Sequence, residues 1–123
     1  MRILLVDDDE DTALSMQALL ELEGHSVASA FNACDALRMA PLFAPEGIVL
    51  DLGLPDTNGF ELCRQLRRQN TSIRMAVAVT GFGGQKAIEA CRRAGFDAHL
   101  LKPCTVEEVI AALAQGERSA QSG

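Results

Sequence analysis

Apolar residues gather in five short runs, at positions 3–6, 27–30, 48–50, 75–79 and 98–101. Several of these runs are apolar at successive rather than alternate positions, the pattern of strands covered on both faces of a parallel sheet. Between them the period changes to that of a helix. Ala13, Met16 and Leu20 form one stripe, and Ala33, Ala36, Leu37 and Ala40 a second. Leu62, Cys63 and Leu66 form a third, and Ala87, Ile88, Cys91 and Ala94 a fourth. The last is Val106, Val109, Ile110 and Leu113, spaced i, i+3, i+4 and i+7. Local punctuation agrees with this reading. Gly24 and Gly95 suit helix C-terminal turns, where glycine takes positive φ at little cost. Asp9 and Thr105 suit N-caps, and Thr105 with Glu108 has the spacing of a capping box.

Strict strand–helix alternation predicts a doubly wound α/β domain, a flavodoxin-like (βα)5 fold around a five-stranded parallel sheet. Right-handed crossovers distribute the helices over both faces. The pattern shows no internal repeat, linker or second domain. Residues 1–116 are expected to form the domain, and the small polar stretch 117–123 a flexible tail.

Composition narrows the function classes. The 123 residues are 48% hydrophobic and 23% charged, which suits one self-sufficient core. A net charge of −6 argues against direct nucleic-acid binding, and the lack of Trp and Tyr removes the best base-stacking rings. Arg64, Arg67 and Arg68, and then Arg92 and Arg93, lie on predicted helices and are expected on solvated faces. Cys34, Cys63, Cys91 and Cys104 contain no CxxC pair, so neither a zinc nor a redox motif is signalled. Free thiols and the absence of an apolar leader imply a cytoplasmic location, and no run is long enough for membrane insertion.

In such a sheet ligands bind beyond the carboxyl ends of the strands. The residues that follow the strands are therefore informative. The first run is followed by Asp7, Asp8 and Asp9, the third by Asp51, the fourth by Thr80 and Gly81, and the fifth by Lys102 and Pro103. Asp7, Asp8 and Asp9 alone read equally well as caps and solvated loop residues. Asp51, at the end of a separate strand, tips the balance toward a cation site. Like charges raise one another's pKa, so the cluster costs stability unless a cation joins it. An incomplete set of carboxylates with room for water suits Mg²⁺. Lys102 adds a fixed positive charge and Thr80 a hydroxyl, giving a holder for a tetrahedral oxyanion with Asp51 as the natural nucleophile. No GxxxxGK[ST] or GxGxxG loop is present, so nucleotide binding is not indicated.

The segments VDDDED, VLDLGLPDTNGFEL, AVTGFG and HLLKP, in that order, resemble the successive motifs of the receiver domain of two-component response regulators. The resemblance spans residues 2–113. It implies that Asp51 is the phosphoacceptor in a phosphorelay. Asp8 would bind Mg²⁺ directly, Asp7 largely through water, and the backbone carbonyl of Gly53 would complete the metal site. Lys102 would pair with the phosphoryl group, bounded by Gly53 and Gly81, and Thr80 would move to hydrogen-bond it. The resemblance further implies a cis Lys102–Pro103 peptide, autodephosphorylation, and a histidine kinase or histidine phosphotransfer protein as phosphodonor. The usual aromatic switch ring, three residues before the lysine, is here His99. Ala98 and an uncharged stretch at 111–115 stand where receivers of winged-helix factors place dimer-forming charges, so that dimer is not expected. DLGLPDTNGFEL and AGFDAHLLKP look most similar to receivers of hybrid histidine kinases. Two rivals remain: a degenerate receiver serving as an interaction module, and a flavodoxin-like cofactor-binding protein. The first predicts loss of Asp51, Lys102 or the acid pair, and the second predicts flavin or nucleotide loops.

Overall fold

The computed structural model describes residues 1–81 and 83–122, with side chains as far as Gln115. The chain runs β1 (Arg2–Val6), α1 (Glu10–Leu22), β2 (Ser26–Ala30), α2 (Ala33–Phe43), β3 (Gly47–Asp51), α3 (Gly59–Gln69), β4 (Met75–Thr80), α4 (Gln85–Ala94), β5 (Ala98–Leu101) and α5 (Val106–Ser122). All strands pair in parallel in the order β2-β1-β3-β4-β5. This is the doubly wound (βα)5 sheet that the alternation predicts. The expected tail, 117–123, falls on residues whose side chains, and at Gly123 whose backbone, lie outside those described.

The unbroken apolar runs follow from two-sided burial. Along β1, Ile3 and Leu5 pack with Leu20 of α1 and Val109 and Leu113 of α5. Leu4 and Val6 point the other way, into a core closed by Ala36 and Ala40 of α2, Leu62 and Leu66 of α3, and Cys91 and Ala94 of α4. Strand side chains alternate between faces, so a strand covered on both sides must be apolar at every position. Each fully buried Leu contributes about 2 kcal/mol by leaving water. The buried thiols act as small hydrophobes. Burial pushes the Cys63 thiol up to about 11, so it stays protonated at neutral pH.

The caps are formed as the sequence suggests. The Asp9 side chain accepts from the Thr12 N–H, and Gly24 and Gly95 take φ of 95° and 100°. The Thr105 N–H donates to Glu108 Oε1 at 3.1 Å, and the Glu108 N–H donates back to Thr105 Oγ1 at 3.2 Å.

Three expectations need correction. Ile88, placed on the core stripe of its helix, is 37% exposed. The run 98–101 is not covered on both faces: Ala98, His99 and Leu100 are half-buried and Leu101 is exposed. Both departures share one cause. β5 is an edge strand, so its cover is incomplete, and α4 seats only Cys91 and Ala94 fully. Arg67, expected on a solvated face, instead donates to Asp97 Oδ2 at 3.1 Å, and the same oxygen accepts from the Ala76 N–H at 2.9 Å. That carboxylate pins the start of β4 to α3.

The close approach of α3 to the loop after β3 requires glycine at its first position. A Cβ on Gly59 would lie 2.9 Å from the Leu52 Cα and 2.8 Å from Leu52 Cδ2. Helix propensity alone favours alanine at a helical position. The clash with backbone reverses that preference. Gly59→Ala is expected to lower stability by about 1–3 kcal/mol. The measurement is the denaturant midpoint, which should fall without a change in slope.

Candidate phosphoacceptor site

Strand register brings the polar residues together. Val6 pairs with Leu50, so the next residues, Asp7 and Asp51, emerge side by side. Asp51 itself pairs with Val79, and Thr80 pairs with Leu101, which places Lys102 one step past the next strand end. Asp51 is only 5% exposed, yet both its oxygens are engaged. Oδ1 accepts from the Gly53 N–H at 2.9 Å, and Oδ2 accepts from Lys102 Nζ at 2.5 Å. The lysine is held at its base, where its N–H donates to the Thr80 carbonyl at 2.8 Å. The Lys102–Pro103 peptide is cis.

One carboxylate oxygen from each of Asp7, Asp8 and Asp51 lies within 4.8 Å of the others. These hard oxygen donors fit a divalent cation. The electrostatics fit one as well. Desolvation holds the Asp7 carboxyl above the usual carboxylate range, against the opposing hydrogen bond from the Asp9 N–H, and the charges of Asp51 and Asp8 add to the rise. Burial alone would push the Lys102 ammonium down. Its hydrogen bond to Asp51 and the charges of Asp51, Asp7 and Asp8 outweigh that and hold it above its ordinary value. The acids and the lysine line a cavity of about 710 Å³ together with apolar side chains that include Leu5, Met16 and Val49.

Asp7, Asp8, Asp51 and Lys102 therefore converge. Thr80 is buried at the neighbouring strand end, while Gly53 and Gly81 are exposed on the loops that follow β3 and β4. His99 lies apart from the acids, paired opposite Ala78 and lining a shallow groove between α4 and β5 with Ile88 and Arg92. One residue was missed by sequence reasoning: Asp56, in the loop after β3, accepts hydrogen bonds from the backbone of α2. The contact spans 23 residues and no local pattern signals it.

Residues 3–114 match the response regulator receiver domain family. The chain belongs to that family. It is a receiver domain of two-component signal transduction. It is 36% identical over 111 residues to response regulator MprA of Mycobacterium avium (strain 104), an overlap that covers 90% of this chain and 48% of that protein. The receiver thus spans about half the length of that relative. An uncharacterized 14.6 kDa protein of Leptolyngbya boryana is also 36% identical, over 89% of this chain and 85% of its own length. Among solved structures, a CheY-like receiver domain protein of Methanospirillum hungatei JF-1 superposes with a TM-score of 0.87 at 27% identity, covering 99% of this receiver and 98% of that chain. A Burkholderia pseudomallei response regulator superposes with a TM-score of 0.86 at 29% identity, covering 98% of this receiver and 71% of that chain. That protein carries a phosphorylated aspartic acid and a calcium ion. No described helix is long and apolar enough to cross a membrane.

Burying Asp7 beside other acids has a cost. A raised folded-state pKa means that ionising Asp7 lowers stability as pH rises through the window just above 3.8. Asp7→Asn keeps the acceptor for the Asp9 N–H and removes that charge. Without divalent cations it is expected to melt above the parent, by a margin that widens as pH rises from below 3.8 toward neutrality. Added divalent cation should then stabilise the variant less than the parent, as scanning calorimetry would show.

Proposed function

We propose that Asp51 is the phosphoacceptor and that the receiver catalyses its own phosphorylation and dephosphorylation. The observation that carries this reading is the engagement of the buried Asp51 carboxylate by Lys102 and the Gly53 N–H, next to two further acids. An Asp51 oxygen attacks phosphorus, a P–O bond forms, and the bond to the donor nitrogen breaks with its electron pair left on the imidazole. The donor is a phosphohistidine of a histidine kinase or histidine phosphotransfer protein. Mg²⁺, held by Asp7, Asp8, Asp51 and the Gly53 carbonyl, would neutralise charge on the transferring group. Lys102 holds the acceptor in place before transfer and follows the phosphoryl oxygens after it. The loop amides at Gly53 and Gly81 would donate to those oxygens, and Thr80 would turn its hydroxyl toward them.

Output then depends on what moves. Drawing Thr80 toward Asp51 would leave room beneath the loop after β4, into which the His99 ring can turn. Imidazole is smaller and more polar than the usual phenol, so it gains less from burial and gives a shallower switch. The loop sequences DLGLPDTNGFEL and AGFDAHLLKP support a receiver of the hybrid histidine kinase type, while the relative MprA is a response regulator. A degenerate interaction module is disfavoured because Asp7, Asp8, Asp51 and Lys102 are all present and adjacent.

With acetyl phosphate and Mg²⁺, the parent should gain one phosphoryl group by intact mass and Asp51→Asn should gain none. Labelling of Asp51→Asn at the parent rate would remove Asp51 from the assignment. Lys102→Ala should still be labelled, at a rate lower by about 10²-fold as expected for loss of one charge-stabilising donor. Its chemical shifts over residues 96–113 should no longer respond to a beryllofluoride phosphoryl mimic.

A further inference from the structure

The first turn of α2 leaves backbone N–H groups that no helical carbonyl can serve. Asn32, the N-cap, meets part of this need: its Oδ1 accepts from the Asp35 N–H at 2.8 Å, and its carbonyl accepts from the Ala36 N–H at 3.1 Å. The Ala33 and Cys34 N–H groups remain, and a residue from elsewhere in the chain takes both. Asp56 Oδ1 and Oδ2 each lie 3.1 Å from the Ala33 nitrogen, and Oδ2 lies 3.4 Å from the Cys34 nitrogen. A carboxylate at a helix N-terminus also meets the positive end of the helix dipole.

Asp56 sits in the loop that leaves Asp51. That loop is fixed at one end by the Gly53 N–H on Asp51 and the buried Leu54, and at the other by the Asn58 cap and the tight packing of Gly59 on Leu52. Between them, among the described residues, Asp56 makes the only hydrogen bonds formed by positions 55–57. We propose that Asp56 is a positioning residue that ties the phosphoacceptor loop to the N-terminus of α2 and so restrains, from its far side, the loop whose Gly53 carbonyl faces the divalent cation. The proposal rests on the metal reading given above. Groups that orient the ligands of a metal commonly alter its affinity by about 10–100-fold when removed. Because coupling is reciprocal, a cation that needs the ordered loop must in turn strengthen the contact with α2.

The test compares Mg²⁺ titrations by calorimetry, and acetyl phosphate labelling, for the parent, Asp56→Ala, Asp56→Asn and Asn32→Ala. Asp56→Ala should bind Mg²⁺ about tenfold more weakly and label more slowly at subsaturating Mg²⁺. Asp56→Asn, which keeps one acceptor oxygen, should recover most of the affinity. Asn32→Ala removes the cap of α2 itself, so it should lower the melting temperature comparably while leaving Mg²⁺ affinity unchanged. In the unsubstituted protein, Mg²⁺ should slow hydrogen exchange at the Ala33 and Cys34 amides. Parent-like affinity in Asp56→Ala, equal weakening in Asn32→Ala, or exchange at those amides indifferent to Mg²⁺ would each overturn the tether. A parent that binds no Mg²⁺ would overturn both the tether and the metal reading beneath it.

Discussion

A parallel sheet buried on both faces leaves no room for charge except at the ends of its strands. Every interior position of β1 from Ile3 to Val6, and all six of β4, is buried. A carboxylate there would lose its hydration without a partner. Where the strands stop, helices have not yet covered the backbone, and polar side chains can reach both water and one another. Because all five strands run the same way, their carboxyl ends share one edge. The site therefore needs no long excursion of chain. Asp7, Asp51, Thr80 and Lys102 each stand at or one residue past a strand end, and register does the rest.

That geometry explains what could be read from the amino acids alone. The five runs and five stripes follow from period, and period survives in any single sequence. The Asp51–Lys102 pair is separated by 51 residues, yet it was legible because topology alone brings those two strand ends within reach. Contacts set by neither period nor strand end were not legible. Arg67 reaching Asp97 and Asp56 reaching Ala33 each depend on the distance between a helix and a loop from elsewhere in the chain. Nothing in the local sequence encodes that distance. The exposure of Ile88 and the half-cover of β5 were missed for a related reason: a stripe says which face is apolar, but not whether a neighbour extends far enough to hide it.

Two sets of aspartates differ in what they face. Asp9, Asp56 and Asp97 are satisfied by backbone N–H groups and hold elements in place. Asp7, Asp8 and Asp51 face one another, and the ammonium of Lys102 is paired with Asp51. The first kind is spent on structure, and the second is held ready. An exchange of roles between them would undo both. A neutral residue at position 97 would loosen the start of β4, while a neutral residue at position 51 would leave Lys102 without its partner.

The close grouping of oxygens within 4.8 Å also sets a preference for valence. Three carboxylates against one ammonium leave an excess of two negative charges, 3 − 1 = 2, and one divalent cation cancels it. Two monovalent ions would carry the same charge, but they would have to share a space that fits one. Ordinary salt offers little relief, since the screening length is about 8 Å at physiological ionic strength and exceeds the spacing of the acids. By charge alone, a site of this kind would favour one divalent cation over sodium or potassium.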